Sequence, residues 1–289
     1  MPEAEIDVTE ELVIGLIRQQ HPDLLAPLQL VANGWDNVIF RLGDSLSVRL
    51  PRRELAAELI TKEQRWLPEL APRLPVPIPV AVRVGVPTDD YPWSWSIGPW
   101  FDGHALTEVP VPGRTAYAAE LAEFFAALHR PAPADAPRNP VRGIPLAERG
   151  RLVAEHLDLL AAPQWTRDLW DELAASPELT RPPCWLHGDP HPANVLVDDR
   201  RLAAMIDFGD LCAGDPATDL AVAWLAFTDQ GRRQFRDHYT ALAGDDPDLW
   251  RRARGWALSL ALSLLANSDD NPGLAAVGRL GLDQVKSDR

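Results

Sequence analysis

The sequence feature that most constrains the fold is a set of polar residues with fixed spacing in the second half of the chain. His187, Asp189 and Asn194 follow the pattern H-x-D-x-x-x-x-N, and Asp207 opens an Asp-Phe-Gly triplet thirteen residues after Asn194. Polar side chains at these intervals, separated by apolar residues, can act together only if the backbone turns back on itself. The spacing therefore favours a loop followed by a tight pair of strands.

Two apolar runs predict that pair of strands. Val195–Val197 and Leu202–Ile206 are short and apolar, and the Asp-Asp-Arg sequence at 198–200 between them is typical of a turn. In such a hairpin, Asn194 stands just before the first strand and Asp207 just after the second. We therefore expect these two side chains to lie side by side, with Asp189 in the preceding loop.

The residue types in this set suit phosphoryl transfer. One carboxylate can accept or orient an attacking hydroxyl group. A second carboxylate and an amide oxygen are hard oxygen ligands of the kind that Mg²⁺ takes beside a triphosphate. The pattern therefore indicates transfer of a phosphoryl group from ATP or GTP, with Mg²⁺ as the cofactor.

Each motif alone is a weak signal, but the combination resembles a known family. The His-Gly-Asp-x-x-x-x-Asn and Ile-Asp-Phe-Gly-Asp elements, with a later Gly-Asp-Pro-Ala-Thr-Asp-Leu-Ala segment, are similar to those of the aminoglycoside phosphotransferase family of the protein-kinase-like superfamily. The resemblance implies that Asp189 is the catalytic base, that His187 braces the catalytic loop, and that Asn194 and Asp207 bind magnesium. It also implies that Asp219 anchors this loop.

The expected fold class is α+β, with a protein-kinase-like two-lobed fold. We expect an N-terminal nucleotide-binding lobe with an antiparallel sheet and one key helix over residues 1–101. A larger, mainly helical catalytic and substrate-binding lobe should cover 102–289, with 131–145 as a loop insertion. The N-terminal predictions are a capping box of Asp7 with Glu10, strands at Asn37–Leu42 and Ser45–Leu50, a helix at Glu54–Leu70, and strands near Val80–Val84 and Trp93–Phe101. The later helices are predicted near 115–129, 146–161, 164–175, 217–228, 231–243, 247–266 and 273–283.

The first hairpin is expected to cover the nucleotide. The loop Asn33–Asn37 stands where the family carries its phosphate loop, so Gly34 and Asn37 are candidate nucleotide-binding residues. The kinase pattern places a lysine on the strand after the hairpin turn, but this chain has Arg49 there. Alternation along the strand turns Arg49 away from the apolar face. A guanidinium can bind phosphate, although its geometry differs from that of an ammonium group.

Two further contacts of the nucleotide site are predicted on neighbouring elements. Glu63 on the following helix resembles the family's glutamate ahead of an apolar pair, so it is the predicted partner of Arg49, with Glu58 as the alternative. The base is expected to meet backbone groups near Ile97 to Phe101, with Gly98 and Trp100 as the candidates. Because Pro99 has no N–H, any donor must be a neighbour such as Trp100.

The acidic composition bears on the choice of partners. With 42 Asp and Glu against 28 Lys and Arg, the formal net charge is -14, which argues against nucleic acid as a partner. The acidity serves either solubility or the attraction of a cationic acceptor. The resemblance implies an aminoglycoside-type antibiotic as the leading acceptor, with a macrolide, choline, homoserine or a sugar as alternatives. Four carboxylates are candidate substrate residues: Asp210, Asp229, Asp269 and Asp270.

Two other functions stay open on the sequence alone. His187, Asp189 and His191 could instead be zinc ligands of a hydrolase, although that leaves the other polar residues of the motifs without a role. Arg49 in place of lysine leaves room for a pseudo-kinase that binds a nucleotide without turnover.

The sequence constrains location and assembly only weakly. Cys184 and Cys212 have no metal or redox spacing and fit a reducing cytoplasm. No signal peptide is evident, and the longest apolar run, Gly255–Ala266, is too short to cross a bilayer. We therefore expect a cytoplasmic protein without a membrane partner, and the sequence does not indicate an oligomeric state.

Overall fold

The structure, a computed structural model, describes residues 3–199, 201–244, 246–268 and 270–288. Its strands, in chain order, are β1 Leu28–Asn33, β2 Asn37–Leu42, β3 Leu46–Pro51, β4 Arg83–Gly85, β5 Trp95–Pro99, β6 His104–Ala105, β7 Cys184–Leu186, β8 Val195–Asp198, β9 Arg201–Met205 and β10 Cys212–Gly214. Its α-helices are α1 Glu10–Gln20, α2 Glu54–Leu70, α3 Ala118–Leu128, α4 Gly150–Leu159, α5 Gln164–Ala174, α6 Ala217–Leu220, α7 Val222–Ala226, α8 Asp229–Ala243, α9 Leu249–Ala266 and α10 Pro272–Ser287.

The chain divides into two compact units. The first contains the chain up to Pro72, Pro77–Asp102 and the short segment Asp207–Gly209. The second contains Arg73–Val76, Gly103–Ile206 and the chain from Asp210 onward. The Asp-Phe-Gly triplet therefore groups with the N-terminal sheet, although it lies far along the sequence.

The first unit is built on an antiparallel sheet with the strand order β1-β2-β3-β5-β4. Alternation along β2 buries Val38, Phe40 and Leu42, and Val48 and Leu50 of β3 are buried with them. The apolar side of α1 belongs to the same core. Because each fully buried side chain of this kind contributes about 1.5–3 kcal/mol, this face stabilises the sheet.

The first helix begins later than the sequence pattern indicates. The predicted capping box of Asp7 with Glu10 is wrong, because Thr9 is the N-cap and its Oγ1 accepts a hydrogen bond from the Leu12 N–H at 3.3 Å. Glu10 and Glu11 occupy the first turn, where carboxylates interact favourably with the helix dipole. Two possible caps stand close together in the sequence, and the backbone geometry selects the second.

The strand β1 is not predicted by the sequence pattern. The pairing of β1 with β2 shifts register between Leu30 and Ala32, and both Leu30 and Val31 are exposed. A bulge breaks the two-residue alternation by which a strand is recognised. As an edge strand, β1 also lacks the regular apolar pattern of the central strands.

The helix α2 spans the predicted residues, but its buried face includes a charged residue. Apolar residues alone would place Leu55 on the buried stripe, yet Leu55 is 68% exposed. The buried positions in this part of the helix are Ala56, Ile60 and Glu63. Because the buried stripe includes the carboxylate of Glu63, a pattern of apolar residues alone points to Leu55 instead of Ala56 as a buried residue.

Most other predicted elements are present, with shifts at their ends. β4 and β5 are shorter than predicted, and α3 begins only at Ala118, after a 3₁₀ segment at Val111–Tyr117. The short strands β6 and β10 were not predicted. β6 pairs with β8, and β10 pairs with β7, so both are held by long-range pairing that local sequence does not reveal.

The second unit is mainly helical around α9. Residues from Gly255 to Leu262 of α9 are buried on all sides, which is typical of a central helix, and α4, α5, α6 and α10 pack against it. The predicted α+β class is thus confirmed, with an antiparallel N-terminal sheet, the helices α1 and α2 packed against it and a mainly helical C-terminal part. No helix in the described part of the chain is both long and apolar enough to span a bilayer.

A buried ion pair joins α9 to the segment before α6, and we expect it to stabilise the fold. Arg252 Nε donates to Asp215 Oδ2 at 2.6 Å, and both side chains are buried; Arg252 also contacts Asp246. Asp215→Ala should lower the free energy of unfolding by about 3–5 kcal/mol, because it leaves a buried guanidinium without its main partner. Urea denaturation measures this change.

The matched control is Glu155→Ala, which removes an exposed ion pair with Arg151 on α4. This change should alter the free energy of unfolding by less than about 1 kcal/mol. Equal effects of the two substitutions would contradict a structural role for the buried pair.

Candidate active site

One buried carboxylate holds the backbone of the loop 187–194, which we call the catalytic loop. Asp219 on α6 is fully buried and accepts hydrogen bonds from the N–H groups of His187 at 2.7 Å and Gly188 at 2.9 Å. His129 Nε2 lies 3.1 Å from the same carboxylate. Gly188 has a φ of +88°, and a Cβ atom there would lie 2.3 Å from the Asp210 carbonyl oxygen, so only glycine fits. The predicted anchoring by Asp219 is confirmed.

The ring of His187 connects the catalytic loop to the end of β9. Its Nε2 donates to the Ile206 carbonyl at 2.9 Å, and its Nδ1 accepts the Asp189 N–H at 3.3 Å. With both ring nitrogens hydrogen-bonded, His187 has no lone pair to offer to zinc. Within the described ranges, no three His, Cys, Asp or Glu side chains are grouped so that they could hold a metal ion. The zinc interpretation therefore has no structural support.

The carboxylate of Asp189 is surrounded by groups that favour its ionised form. Its Oδ2 accepts a hydrogen bond from Asn194 Nδ2 at 3.2 Å and lies 3.1 Å from His191 Nε2, while its Oδ1 lies 3.7 Å from a nitrogen of Arg142. Burial raises the pKa of Asp189, but His191, Arg142 and His187 together hold it well below its ordinary range. The carboxylate is therefore ionised at neutral pH and can accept a hydrogen bond from a hydroxyl group.

Asn194 is oriented so that its amide oxygen can ligate a cation. Its Nδ2 donates to both the carbonyl and the carboxylate of Asp189, which leaves Oδ1 as the ligating atom. The hairpin that follows is the predicted one, because β8 pairs with β9 and the Ile206 N–H donates to the Asn194 carbonyl at 3.0 Å. Its predicted turn residue Arg200 lies outside the described residues.

Asp207 is the next residue of the chain after Ile206, and its backbone is strained. Its φ is +64°, in the left-handed region that costs a non-glycine residue about 1–3 kcal/mol and is retained mainly at functional positions. Its side chain is exposed. A strained, exposed carboxylate directly after the hairpin agrees with a ligand role, which stays a prediction.

Two residues from the predicted insertion 131–145 contact the catalytic loop region, and sequence reasoning missed both. Arg142 Nε lies 3.3 Å from Asp210 Oδ2, and Asn139 Nδ2 donates to Asp210 Oδ1 at 2.8 Å. Both carboxylate oxygens of Asp210, a predicted substrate residue, thus have partners within the protein. The sequence of this segment has neither helical nor strand periodicity. The local feature that marks a turn in it is Gly143, which has a φ of +67°. Long-range folding alone brings it to this place.

In the first unit, Arg49 and Glu63 form the expected ion pair. Two guanidinium nitrogens of Arg49 on β3 donate to the two carboxylate oxygens of Glu63 on α2, at 2.6 and 3.3 Å. Glu58, the alternative partner, is exposed. Burial lowers the pKa of Arg49, but Glu63 and Asp207 raise it above its ordinary value. Burial raises the pKa of Glu63 above its ordinary value, although the neighbouring charge of Arg49 acts to lower it. Arg49 is therefore charged and held in place, and its contact with phosphate stays a prediction.

The predicted phosphate loop, Asn33–Asn37, connects β1 to β2 and is closed by its own backbone. The Gly34 N–H donates to the Asn37 carbonyl at 2.9 Å, and Arg52 donates to the Gly34 carbonyl at 2.9 Å. Arg52 was missed by sequence reasoning, because nothing in its neighbourhood distinguishes it from a surface arginine. Binding of phosphate by Gly34 and Asn37 stays a prediction.

The prediction for the strand that should meet the base needs one correction. The Trp100 N–H donates to the Ser45 carbonyl at 2.8 Å, so the expectation that this N–H serves a nucleotide base is wrong. The physical reason is that the pairing of β3 with β5 continues past the end of both strands. The Trp100 ring instead faces the guanidinium of Arg41 at 4.8 Å. Gly98 pairs opposite Ser47, and its role stays a prediction.

The other candidate substrate carboxylates lie on separate segments. Asp229 begins α8 and pairs with Arg232 at 3.2 Å and with Arg233. Asp270 is exposed shortly before α10, and Asp269 lies outside the described residues. Their contact with a substrate stays a prediction.

Solved structures of aminoglycoside and macrolide phosphotransferases have a similar fold. The GDP complex of wild-type aminoglycoside 2'-phosphotransferase-IIIa shares 20% sequence identity at a TM-score of 0.70, over 96% of this chain and 99% of that one. The apoenzyme of macrolide 2'-phosphotransferase MphH from Brachybacterium faecium shares 21% identity at a TM-score of 0.66, over 93% and 97%. The streptomycin-ATP-APH(2")-IIa ternary complex shares 17% identity at a TM-score of 0.63, over 94% and 95%. At these identities the likeness establishes the fold.

The family itself is established by the sequence. No curated protein sequence matches the chain, but the model of the phosphotransferase enzyme family matches residues 27–256. This range covers most of the chain, from β1 through the catalytic loop, the Asp-Phe-Gly triplet and Asp219. The resemblance inferred from the motifs is confirmed: the chain belongs to the phosphotransferase enzyme family.

Proposed function

We propose that this protein transfers the γ-phosphoryl group of ATP or GTP to a hydroxyl group of a small molecule, with Mg²⁺ as the cofactor. The observation that carries the proposal is the ionised carboxylate of Asp189, fixed by Asn194 on a loop that Asp219 anchors. A related enzyme was solved with GDP, and another with ATP and streptomycin. The first supports a nucleotide donor, and the second supports a nucleotide donor together with a small-molecule acceptor.

Asp189 is the proposed catalytic base. Its depressed pKa makes it a weak base, so it accepts a hydrogen bond from the acceptor hydroxyl, orients that oxygen toward phosphorus and takes the proton late. This suits the loose transition state of phosphoryl transfer, in which positioning contributes more than early deprotonation. His187 and Asp219 contribute by holding the backbone that carries Asp189.

Asn194 and Asp207 are the proposed magnesium ligands. Carboxylate and amide oxygens fit this ion, and Asn194 presents Oδ1 because its Nδ2 is already used. When bound, Mg²⁺ neutralises negative charge on the triphosphate. The presence of all three residues, Asp189, Asn194 and Asp207, favours an active enzyme over a pseudo-kinase.

Arg49 is proposed to contact the phosphates in place of the usual lysine. The pair with Glu63 fixes the guanidinium on β3, as the lysine–glutamate pair does in the kinase pattern. Gly34 and Asn37 are proposed to lie beside the phosphates, and Gly98 beside the base. The residues 1–101 and 102–289 are correspondingly proposed as a nucleotide-binding and a catalytic part.

The acceptors to test first are aminoglycoside-type antibiotics, with macrolides as the alternative, because relatives of both types share the fold. The formal charge of -14 suits a cationic acceptor. We place the reaction in the cytoplasm, where nucleoside triphosphates are available. Cys184 and Cys212 are buried as thiols and do not form a disulfide, as a reducing compartment allows.

Asp189→Ala tests the proposed base. Loss of the carboxylate should lower kcat for phosphoryl transfer by at least about 100-fold, because a positioned base contributes about 10²–10⁴, while the dissociation constant of Mg·ATP stays nearly unchanged. Steady-state kinetics and calorimetric titration with Mg·ATP measure the two quantities. Asp135→Ala, at an exposed site in the same unit, is the control and should behave as the wild type. Full activity of Asp189→Ala would remove Asp189 from the mechanism.

Arg49→Ala tests the replacement of lysine by arginine. It should weaken binding of Mg·ATP by about tenfold or more, because a charge-assisted hydrogen bond is worth about 1.5–3 kcal/mol. Arg49→Lys keeps the charge beside Glu63 and should retain most of the affinity. Thermal unfolding of each variant separates lost binding from lost folding.

Lys62→Ala is the matched control, since Lys62 lies on α2 directly before Glu63. The affinity of the Lys62→Ala variant for Mg·ATP should stay near that of the wild type. The opposite pattern, with Lys62 needed and Arg49 dispensable, would show that a different cation binds the phosphates.

A further inference from the structure

Arg142 places a positive charge beside the proposed catalytic base. One of its nitrogens lies 3.7 Å from Asp189 Oδ1 and its Nε lies 3.3 Å from Asp210 Oδ2, and its side chain is only 17% exposed. Asn139 donates to the other oxygen of Asp210 at 2.8 Å. Two neighbouring carboxylates thus share one guanidinium that belongs to the protein itself.

The segment that carries Arg142 is held in place on both sides. The carbonyl of the preceding residue, Val141, accepts a hydrogen bond from Arg149 at 3.0 Å. The N–H of the following residue, Gly143, donates to Thr218 Oγ1 at 3.2 Å, and its carbonyl accepts a backbone hydrogen bond at 3.1 Å. Arg142 is therefore a pre-organised group rather than a mobile surface side chain.

This arrangement bears on the charge of the acceptor. An acceptor hydroxyl must reach Asp189. An ammonium group next to that hydroxyl would be attracted to the two carboxylates that Arg142 contacts, Asp189 and Asp210. Arg142 already occupies this position, so such an ammonium group meets a like charge at short range in a partly buried place. Like charges at about 5 Å under these conditions disfavour binding by about tenfold or more.

Building on the proposed phosphotransferase function, we propose that Arg142 is a specificity-determining residue. It selects acceptors that carry neutral groups, such as hydroxyl or ether oxygens, next to the reacting hydroxyl, and it disfavours acceptors with an ammonium group there. Sugars and those antibiotic hydroxyls that have no adjacent amine belong to the selected class.

Arg142→Gln is the test variant, compared with Arg138→Ala, an exposed arginine of the same segment, as the control. Phosphoryl transfer is measured with pairs of acceptors that differ by one amine beside the hydroxyl, such as glucose with glucosamine, and with kanamycin. In Arg142→Gln, the ratio of kcat/KM for amine-bearing to neutral acceptors should rise by about tenfold. Arg142→Lys and Arg138→Ala should keep the wild-type ratio. An unchanged ratio in Arg142→Gln, or an equal loss with both kinds of acceptor, would overturn the proposal.

A binding measurement separates this inference from the proposed function. Calorimetric titration with kanamycin needs no turnover, and its affinity for Arg142→Gln should exceed that for the wild type by about tenfold at low salt and by less at high salt. If no acceptor is phosphorylated by the wild type, the proposed function fails, while this comparison still decides the role of Arg142. Equal kanamycin affinity of both proteins counts against that role.

Discussion

The arrangement of the candidate site depends on the buried carboxylate of Asp219. It accepts two backbone hydrogen bonds from the first residues of the catalytic loop, and its Oδ2 also lies 3.1 Å from His129 Nε2. A buried carboxylate is costly unless its oxygens are satisfied, so the loop backbone and Asp219 stabilise each other. Gly188 allows the close approach that this contact requires. The orientation of Asp189 follows from this backbone, since its side chain projects from the same short loop.

Arginines organise the charge of this acidic protein. Arg49 satisfies Glu63 in the first unit, and in the second unit Arg142 faces Asp189 and Asp210. Both guanidiniums are largely buried beside carboxylates, where their fork-shaped donors suit paired oxygens. The net charge of -14 therefore does not by itself decide the charge that an acceptor meets at the site. The charge that an acceptor meets depends on which carboxylates already have an internal partner.

Sequence reasoning failed where a local pattern was broken by a tertiary contact. The strand β1 has a bulge that disrupts its alternation, and Leu55 is exposed although it is apolar, because the neighbouring face of α2 is the buried one. The N–H of Trp100 is used by an extension of the pairing between β3 and β5. In each case the local sequence pattern does not show which neighbours the folded chain supplies.

The sequence by itself determined the family, the α+β class and the hairpin between Asn194 and Asp207, because these depend on fixed spacing and alternation, which are local properties of the chain. The partner of Arg49 was indicated by the family resemblance, and the tertiary structure decided for Glu63 over Glu58. Only the tertiary structure decided that Arg142 lies beside Asp189. The segment 131–145 has no helix or strand period, so its position depends on long-range hydrogen bonds to residues such as Arg149 and Thr218, and no local pattern encodes such contacts.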